Sequence, residues 1–413
     1  MFYLPQQFKL TTALKKVLRG QSIDANSPGT MLHDFHQLLD LAGEQGFPVT
    51  GTYLLPLKLL KPLNERLSRP IQLGLKRPQQ KSYPNINGLY LLLRTTGLSR
   101  IDTQPKKPRL LIDQEVLQSW ASLTPTEQYL TLLETWAIRG KGEVIGEGRG
   151  HFWSDAPLMN WAHFFAKIPS EGLQIAGNRD IEDTLKYWPK LYNLALLELF
   201  GLVTVQPGPL VEGEGWQIER VWRTPLGDAL LAVLVNFVQQ NYMEMLNYDE
   251  PSEIPFGILQ PALQPYFPQW QNNLSFPVIE FLDGVYVVNV SLWSGEIWRQ
   301  IAVPGALTLD DLAIAIINAY NFDYDHLYQF SYPNRFGALK RITHPYMDES
   351  PATTEVQIGE LALQPGALME FVYDFGDWWQ FTVTLEKIDP ADPKLTNPKI
   401  LKKRGRSPKQ YSW

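Results

Sequence analysis

The acid–base chemistry that this sequence could support centres on one histidine in its last third. His326 follows Asp323 and Asp325, and Asp374 and Asp377 flank a short Phe-Gly turn further along the chain. A histidine oriented by a carboxylate can act as a general base. The sequence offers no nucleophile or metal cluster beside these residues, and acids next to a turn usually bond its backbone N–H groups. His326, Asp374 and Asp377 are therefore kept as candidates for an enzyme of unrecognised type, as an alternative to a binding role.

Other motifs give no cofactor or metal site. His33 and His36 lie three residues apart on a predicted helix, but no third ligand is in view. His151 and His163 fall in an aromatic stretch and are interpreted as core residues. The chain has no cysteine, which excludes disulfides, Cys-ligated zinc, iron–sulfur clusters and Cys nucleophiles. It also lacks a phosphate-binding Gly-rich loop and a Ser-centred nucleophile elbow. We predict no cofactor and no metal.

Charge is distributed unevenly along the chain. Residues 58–109 contain twelve Lys or Arg and two acids, whereas residues 151–393 contain eleven bases and thirty-one acids. Residues 394–413 contain seven bases and no acid. Such asymmetry is typical of a protein that binds a polyanion, or of one whose oppositely charged parts contact each other.

The basic segment gives the leading functional hypothesis, which is DNA or RNA binding. Lys and Arg neutralise phosphates, and a helix in this segment could be presented to a groove. Its leucines must be core, which leaves Asn85, Asn87, Tyr90, Arg94 and Thr95 to face outward. The predicted nucleic-acid contacts are Lys76, Arg77, Lys81, Asn85, Asn87, Arg94 and Arg100. The alternative is a protein-interaction module whose basic segment docks on the acidic region, within one chain or between two copies.

The secondary-structure elements that must position these residues are predicted in the same order at two places in the chain. Residues 86–96 form a predicted helix, Gly97 ends it, and two short strands are predicted at 98–101 and 109–112. The same order of helix, Gly-Leu, strand, polar turn and strand recurs from Leu191 to Trp222. This order is typical of the third helix and wing of a winged-helix domain, and a plain α+β packing unit is the alternative.

These patterns predict an α+β protein with a mostly helical N-terminal part and a C-terminal domain built on an antiparallel sheet. The predicted domains are 1–145 and 150–245, both winged-helix-like, then a Pro-rich linker at 246–277 and a domain at 278–413. The linker should cover a domain surface, because its residues Tyr266, Phe267 and Trp270 need burial.

Nothing in the sequence predicts a membrane segment. The first twenty residues lack a long apolar run, so we expect no signal peptide. The longest apolar run, near Leu230–Val238, is too short to span a bilayer. Together with the absence of cysteine, this predicts a soluble cytoplasmic protein.

The C-terminal part resembles the plasmid pRiA4b ORF-3-like family. The resembling residues extend over about 280–413, and they are Glu296–Arg299, Val303–Gly305, Thr308–Leu312, Asp325–Phe330, Tyr373–Asp377 with Trp379, and Ile400–Tyr411. The resemblance implies a compact α+β domain of prokaryotic origin, associated with plasmids and insertion elements. It implies no reaction.

Two departures from the family pattern, and the chain's end, give further expectations. Tyr328 and Phe381 stand where family members usually have histidines, so a metal or acid–base site built on those histidines would be lost. The final basic segment should be ordered, because it matches the end of the family's domain. We expect Ile400, Leu401 and Tyr411 to anchor it and its cations to lie against an acidic domain.

Overall fold

The computed structural model describes residues 8–103, 107–147, 157–245, 254–278, 280–292, 295–347 and 349–411. The chain forms two compact units. The first comprises Met1–Ile101, Lys107–Phe276 and Arg335–Ala338, and the second comprises Asp102–Lys106, Pro277–Asn334 and Leu339–Trp413. The predicted α+β class is confirmed. His151 lies outside the described residues.

The first unit is mostly helical and contains two small sheets. Its helices are α1 (Thr12–Arg19), α2 (Met31–Ala42), α3 (Leu57–Arg66), α4 (Pro84–Thr95), α5 (Gln114–Ser122), α6 (Pro125–Glu134), α7 (Pro157–Lys167), α8 (Arg179–Tyr187), α9 (Leu191–Leu199), α10 (Pro225–Met245) and α11 (Gln260–Leu263). Its strands are β1 (Phe47–Pro48), β2 (Ser99–Asp102), β3 (Arg109–Ile112), β4 (Leu173–Gln174), β5 (Val203–Pro207) and β6 (Ile218–Arg223). A π-helical turn, Thr135–Arg139, extends α6.

Two successive parts of this unit share one order of elements. The order in the first part is α2, β1, α3, α4, β2 and β3. The second part has the same order of helices and strands, with α7, β4, α8, α9, β5 and β6. The sheet orders also agree, because β3 lies between β1 and β2, and β6 lies between β4 and β5. In each repeat the third helix therefore leads directly into a hairpin whose second strand pairs with the strand that follows the first helix.

A glycine ends the third helix of each repeat. Gly97 has φ 75° and Gly201 has φ 73°. Both values lie in the left-handed region, which an L side chain enters only with strain, so glycine allows the chain to leave the helix and start the hairpin.

The two repeats share one hydrophobic core. A single cluster of buried apolar side chains runs from Phe8 to Leu274. The sequence divides this region into domains 1–145 and 150–245 and a linker, whereas the structure places their described residues in one compact unit. Local patterns identify the elements, but the packing between the repeats leaves no independent core for each.

The described part of the Pro-rich linker is a strap on this core, as its aromatic residues indicate. Phe267 is 3% exposed and Trp270 is fully buried. Two carboxylates on α6 hold the strap through its backbone. Glu134 accepts hydrogen bonds from the N–H groups of Gly257 and Leu259 at 2.8 and 2.9 Å. Glu127, two turns earlier on the same face of α6, accepts from the N–H groups of residues 271 and 272.

The second unit is an antiparallel sheet with one helix. Its strands are β7 (Val285–Leu292), β8 (Ile297–Pro304), β9 (Tyr328–Pro333), β10 (Leu339–Thr343), β11 (Leu368–Tyr373), β12 (Trp379–Asp389) and β13 (Lys399–Arg404), and its helix is α12 (Leu309–Tyr320). The strand order is β10-β9-β11-β12-β7-β8-β13.

Helix α12 covers one face of this sheet. Thr308 and Asp311 form a capping box at its start, since the Thr308 hydroxyl accepts from the Asp311 N–H and the Asp311 carboxylate accepts from the Thr308 N–H. The helix packs on alternate residues of the strands, including Val288, Val290 and Ile301. The predicted C-terminal sheet domain is therefore present with a core of its own.

In the ranges given above, the structure contains no helix both long enough and apolar enough to cross a membrane.

Candidate functional site

Helix α4, the predicted nucleic-acid-facing helix, lies inside the first unit. All twelve of its residues are buried, and it packs against α2, α3 and α9. The expectation that Asn85, Asn87, Tyr90, Arg94 and Thr95 face outward is wrong, because none of them is more than 6% exposed. A side chain this inaccessible cannot reach a base edge, so Asn85, Asn87 and Arg94 are structural residues here.

The partner that covers α4 is α9, its counterpart in the second repeat. Gly88 of α4 lies against the side chain of Leu196, so closely that a Cβ on residue 88 would stand 2.6 Å from the Leu196 Cγ. The third helices of the two repeats therefore pack against each other. Neither presents a surface that could enter a major groove.

The two asparagine amides of α4 are hydrogen-bonded by side chains outside the helix. The Asn87 Oδ1 accepts a hydrogen bond from the Gln80 side chain at 2.9 Å, and its Nδ2 donates to Glu147 at 3.3 Å. The Asn85 Nδ2 donates to Asn64 at 3.4 Å. Buried amides without such partners would be costly, and these partners explain why polar residues tolerate an interior position.

The exposed cations of the first unit lie before α4 rather than on it. Lys76, Arg77 and Lys81 are exposed in the connection between α3 and α4, and Arg100 is exposed on β2. Lys58 and Arg66 are exposed on α3. We call residues 58–81 the α3–α4 segment. Four of the seven predicted contact residues thus remain accessible, and three do not.

Few carboxylates neutralise this segment. Lys61 pairs with Glu65 at 3.9 Å, and Arg69 pairs with Glu198 at 2.6 Å. Within the part of the chain that the structure describes, no ion-pair partner is found for the remaining five cations of the segment, which are Lys58, Arg66, Lys76, Arg77 and Lys81. Their charges face solvent.

The hairpin of the second repeat fixes the middle of the α3–α4 segment. The Gly74 N–H donates to the carbonyl of Glu214, and the Gly213 N–H donates to the carbonyl of Gly74, both at 3.0 Å. A Cβ on Gly74 would lie 1.8 Å from the Val211 carbonyl oxygen, so this close approach needs glycine. At Gly74 the segment is therefore attached through its backbone, and the neighbouring cations Lys76, Arg77 and Lys81 are exposed.

In the second unit, the structure brings His326 together with two of the predicted carboxylates. The His326 Nε2 lies 3.5 Å from Asp374 Oδ2 and 3.6 Å from Asp325 Oδ1. Asp377 is exposed and contributes its backbone N–H to the neighbouring turn. Of the three catalytic candidates, His326 and Asp374 are therefore adjacent, and the Asp377 carboxylate has no contact with the imidazole in the described residues.

Asp374 also stabilises the turn between β11 and β12. Its Oδ1 accepts from the N–H groups of Gly376 and Asp377 at 2.9 and 3.3 Å, which confirms the turn-capping interpretation. Positive φ occurs at Asp374 (58°) and Trp378 (54°) in this turn, and not at Gly376. The turn is therefore wider than a two-residue hairpin.

Asp325 connects this cluster to the end of the chain. The Tyr411 hydroxyl donates to its two oxygens at 3.1 and 2.9 Å, and the Tyr373 hydroxyl donates to Oδ1 at 3.1 Å. Desolvation opposes ionisation of Asp325, but these hydrogen bonds outweigh it and lower its pKa. Desolvation and the neighbouring carboxylate raise the pKa of Tyr411 to about 12. The Tyr411 hydroxyl therefore attaches the end of the chain to Asp325.

The final basic segment is held in place, but by different residues from those that the sequence predicts. It is ordered, and β13 pairs with β8, but Ile400 and Leu401 are 45% and 44% exposed and are not anchors. Tyr411 is an anchor, as predicted. The other one is Gln410, 8% exposed, whose Oε1 accepts from the Asp323 N–H at 2.5 Å. Strand pairing and polar contacts hold the tail, and the sequence pattern of apolar residues could not reveal this.

A second histidine cluster in the first unit escaped sequence reasoning. Asp34 is fully buried, and its Oδ1 accepts from the N–H and the hydroxyl of Ser68, both at 2.8 Å. The His33 Nδ1 lies 3.0 Å from both Ser68 Oγ and Asp34 Oδ1. A catalytic triad needs the acid on one ring nitrogen and the nucleophile on the other. Here Asp34 and Ser68 both contact the Nδ1 of His33. The cluster therefore attaches Ser68 to α2 and cannot relay a proton.

The other histidines show no metal geometry. His36 stands edge-on to Trp120 with ring centres 6.3 Å apart, and burial lowers its pKa. His163 stands edge-on to Trp188. In the portion of the chain that can be described, no group of three His, Asp or Glu side chains is placed to hold a metal ion.

Residues 285–410 match the family model of plasmid pRiA4b ORF-3-like protein. The C-terminal domain is a plasmid pRiA4b ORF-3-like domain. Among solved structures, the chain is similar to a protein of unknown function, MM3350, from Methanosarcina mazei Go1. The identity is 28%, over 30% of this chain and 72% of that chain, with a TM-score of 0.27. No curated protein matches the chain.

The two departures from the family pattern lie in the core of this pRiA4b ORF-3-like domain. Tyr328 is fully buried, and its hydroxyl donates to Asp310 and meets the Tyr324 hydroxyl at 2.8 Å. Phe381 is 1% exposed and packs against Tyr320 with ring centres 4.8 Å apart. Neither side chain can ligate zinc in the way a histidine does.

Proposed function

We propose that the protein binds nucleic acid through the α3–α4 segment of its first unit. The observation that carries the proposal is the set of five exposed cations without a described carboxylate partner, which are Lys58, Arg66, Lys76, Arg77 and Lys81. Unpaired cations on a fixed backbone can neutralise phosphates and release their counterions, which is the main source of affinity for nucleic acids.

The fold supports this proposal in part. The repeated order of helices and strands, with the third strand central in each sheet, is the observation that supports a winged-helix interpretation. We infer two such units, joined through their third helices α4 and α9. Since these helices are buried, binding through base edges in the major groove is not expected. Contacts to phosphates carry no sequence information, so binding should be nearly independent of sequence.

The second hypothesis, a protein-interaction module, has one observation in its favour. The α3–α4 segment already contacts the acidic region of the same unit, through the Arg69–Glu198 ion pair and the backbone of Gly74. Of the seven cations in the segment, however, only Arg69 forms an ion pair with the acidic region in the described residues. The five unpaired cations leave the nucleic-acid hypothesis better supported.

The test is binding to a mixed-sequence DNA duplex of about 20 base pairs at about 50 and 200 mM salt. The variant Lys76→Gln/Lys81→Gln with Arg77→Gln removes three exposed cations. If each contacts a phosphate, the slope of log K against log salt should fall by about 2 to 3. The control changes Lys9, Lys16 and Lys167, three exposed lysines of the same unit, to Gln.

The proposal fails if the wild-type protein shows no micromolar binding at the lower salt concentration. It also fails if the control weakens binding as much as the test variant does. A salt-sensitive oligomer that does not bind DNA or RNA would instead support the protein-interaction hypothesis.

A further inference from the structure

The sheet of the pRiA4b ORF-3-like domain has a second face, opposite α12, with a distinct chemistry. Alternate residues of a strand point to opposite faces. Val290 of β7 and Ile301 of β8 lie in the core under α12, and the Arg299 side chain donates to the carbonyl of Ala319 on that helix. The residues between them on each strand therefore point away from α12.

Strand register places six of these residues in two rows. Asn289, Gln300 and Lys402 lie opposite one another across β7, β8 and β13, and Ser291, Trp298 and Arg404 form the next row. We call these six residues the open face. Its β7 and β8 residues are half-exposed and its two cations are exposed.

The charge of the open face comes from β13 at the sheet edge. All six residues of β13 are exposed, and four of them are Lys or Arg. Arg406 and Lys409 follow without an intervening acid. Within the described ranges, none of these six cations has an ion-pair partner. Glu386 borders the face and accepts a hydrogen bond from Gln300 at 2.5 Å.

We propose that the open face binds single-stranded nucleic acid. Lys402 and Arg404 can neutralise successive phosphates, and Asn289, Ser291 and Gln300 offer donors and acceptors to base edges. Trp298 lies directly opposite Arg404, so an indole for base stacking stands beside a cation. An aromatic on a flat sheet with neighbouring cations suits splayed, unpaired bases, whereas stacked bases in a duplex are out of its reach.

This site is separate from the α3–α4 segment, because all six residues belong to the second unit. The proposal does not depend on duplex binding by the first unit, and either one can fail alone. Its ligand class is also different, which allows one set of probes to distinguish the two.

The strand itself offers a matched pair of variants. Lys402 and Arg404 point to the open face, whereas Lys403 lies opposite Arg299 and points to the α12 side. The test variant is Lys402→Gln/Arg404→Gln, and the control is Lys403→Gln/Arg406→Gln, with the same loss of charge. A third variant, Trp298→Leu, keeps an apolar side chain but removes the stacking surface.

The experiment measures fluorescence anisotropy of a labelled oligo(dT) of about 20 nucleotides with the full chain. The test variant should bind about tenfold more weakly at low salt, with a slope against log salt smaller by about 1.4. Trp298→Leu should lose about fivefold or more. The control should stay within about twofold of the wild type, and thermal melts should show all three variants folded.

Three results would overturn the inference. The first is a wild-type protein that does not bind oligo(dT) at micromolar concentration. The second is equal weakening by the test and control pairs, which would mean that only the total charge of the tail matters. The third is an unchanged affinity in Trp298→Leu. Loss of duplex binding in the Lys76/Arg77/Lys81 variant, with oligo(dT) binding intact, would separate this site from the α3–α4 segment.

Discussion

Replacing Gly88 by alanine tests whether α4 is buried against α9. The new Cβ would lie 2.6 Å from Cγ and 2.9 Å from Cδ2 of Leu196, whereas unstrained carbon contacts need about 3.5 to 4.0 Å. Leu196 is fully buried, so it would have to move by about 1 Å in a packed interior. Such overpacking costs about 1 to 3 kcal/mol.

A competing effect has the opposite sign. Alanine in place of a helical glycine stabilises a helix by about 1 kcal/mol. The net effect of Gly88→Ala in the wild-type background is then a loss of about 0 to 2 kcal/mol. A single measurement near zero would decide little, so the substitution is best made in two backgrounds.

Leu196→Ala supplies the second background. Alone it should cost about 2 to 5 kcal/mol, because it leaves a cavity. With Leu196 shortened, the clash is gone and Gly88→Ala should stabilise by about 1 kcal/mol. The free energies of unfolding from urea titrations should therefore show a coupling of about 1 to 3 kcal/mol between the two sites.

One result of this double-mutant comparison would contradict the packing of α4 on α9. If Gly88→Ala stabilises by the same amount in both backgrounds, α4 does not pack on Leu196, and a solvent-facing recognition helix becomes tenable again. Gly215→Ala is the control, since no atom lies within 4 Å of its Cβ position, and its effect should stay within about 0.5 kcal/mol.

Three further predictions concern polar contacts. Glu134→Ala should lower the free energy of unfolding by about 3 to 5 kcal/mol, because the Glu134 carboxylate interacts electrostatically with buried Arg139 and accepts the backbone hydrogen bonds of the strap. Exposed Glu143→Ala is the control, and an equal loss in the two variants would show that Glu134 does not hold the strap. Gln410→Ala should lower the free energy of unfolding by about 1 to 3 kcal/mol and speed amide hydrogen exchange in β13, because the Asp323 N–H loses its acceptor. Exposed Lys409→Ala is the control, and a loss in Gln410→Ala no larger than in this control would exclude Gln410 as an anchor. Despite desolvation, hydrogen bonds from Tyr411 and Tyr373 hold the folded-state pKa of Asp325 below its ordinary value, so its contribution to stability is complete above the ordinary value and is lost as the pH falls through the lowered one. A pH titration of stability in Asp325→Asn should lack this loss, and an acid profile unchanged from that of the wild type would refute the assignment.

Several local features could be predicted from sequence because short-range rules govern them. The helix at Leu191, the stops at Gly97 and Gly201, and the caps at Thr124 and Thr308 all follow from residue type and spacing. Apolar residues also alternate along β7 and β12, and such alternation is typical of a strand. These signals depend on neighbours within about one helical turn or one strand.

The candidate sites were predicted only in part. Exposed Lys76, Arg77, Lys81 and Arg100, and the meeting of His326 with Asp374, agree with the sequence. Tyr411 was predicted as an anchor from the resemblance, but its hydrogen bonds to Asp325 join residues eighty-six positions apart. No local pattern indicates such a pair, since it depends on β13 adding to the sheet edge.

The sequence by itself therefore determined the elements, their repeated order and the uneven charge, whereas the tertiary structure decided which surfaces remain accessible. Helical periodicity showed that one side of α4 is apolar and left Asn85, Asn87 and Arg94 for solvent. The structure buries those three residues as well, because other elements of the unit surround α4, with α9 lying against Gly88. Asn64 and Gln80 then satisfy the amides of Asn85 and Asn87 from outside the helix. Burial is a property of two surfaces together, and the sequence of one helix describes only one of them.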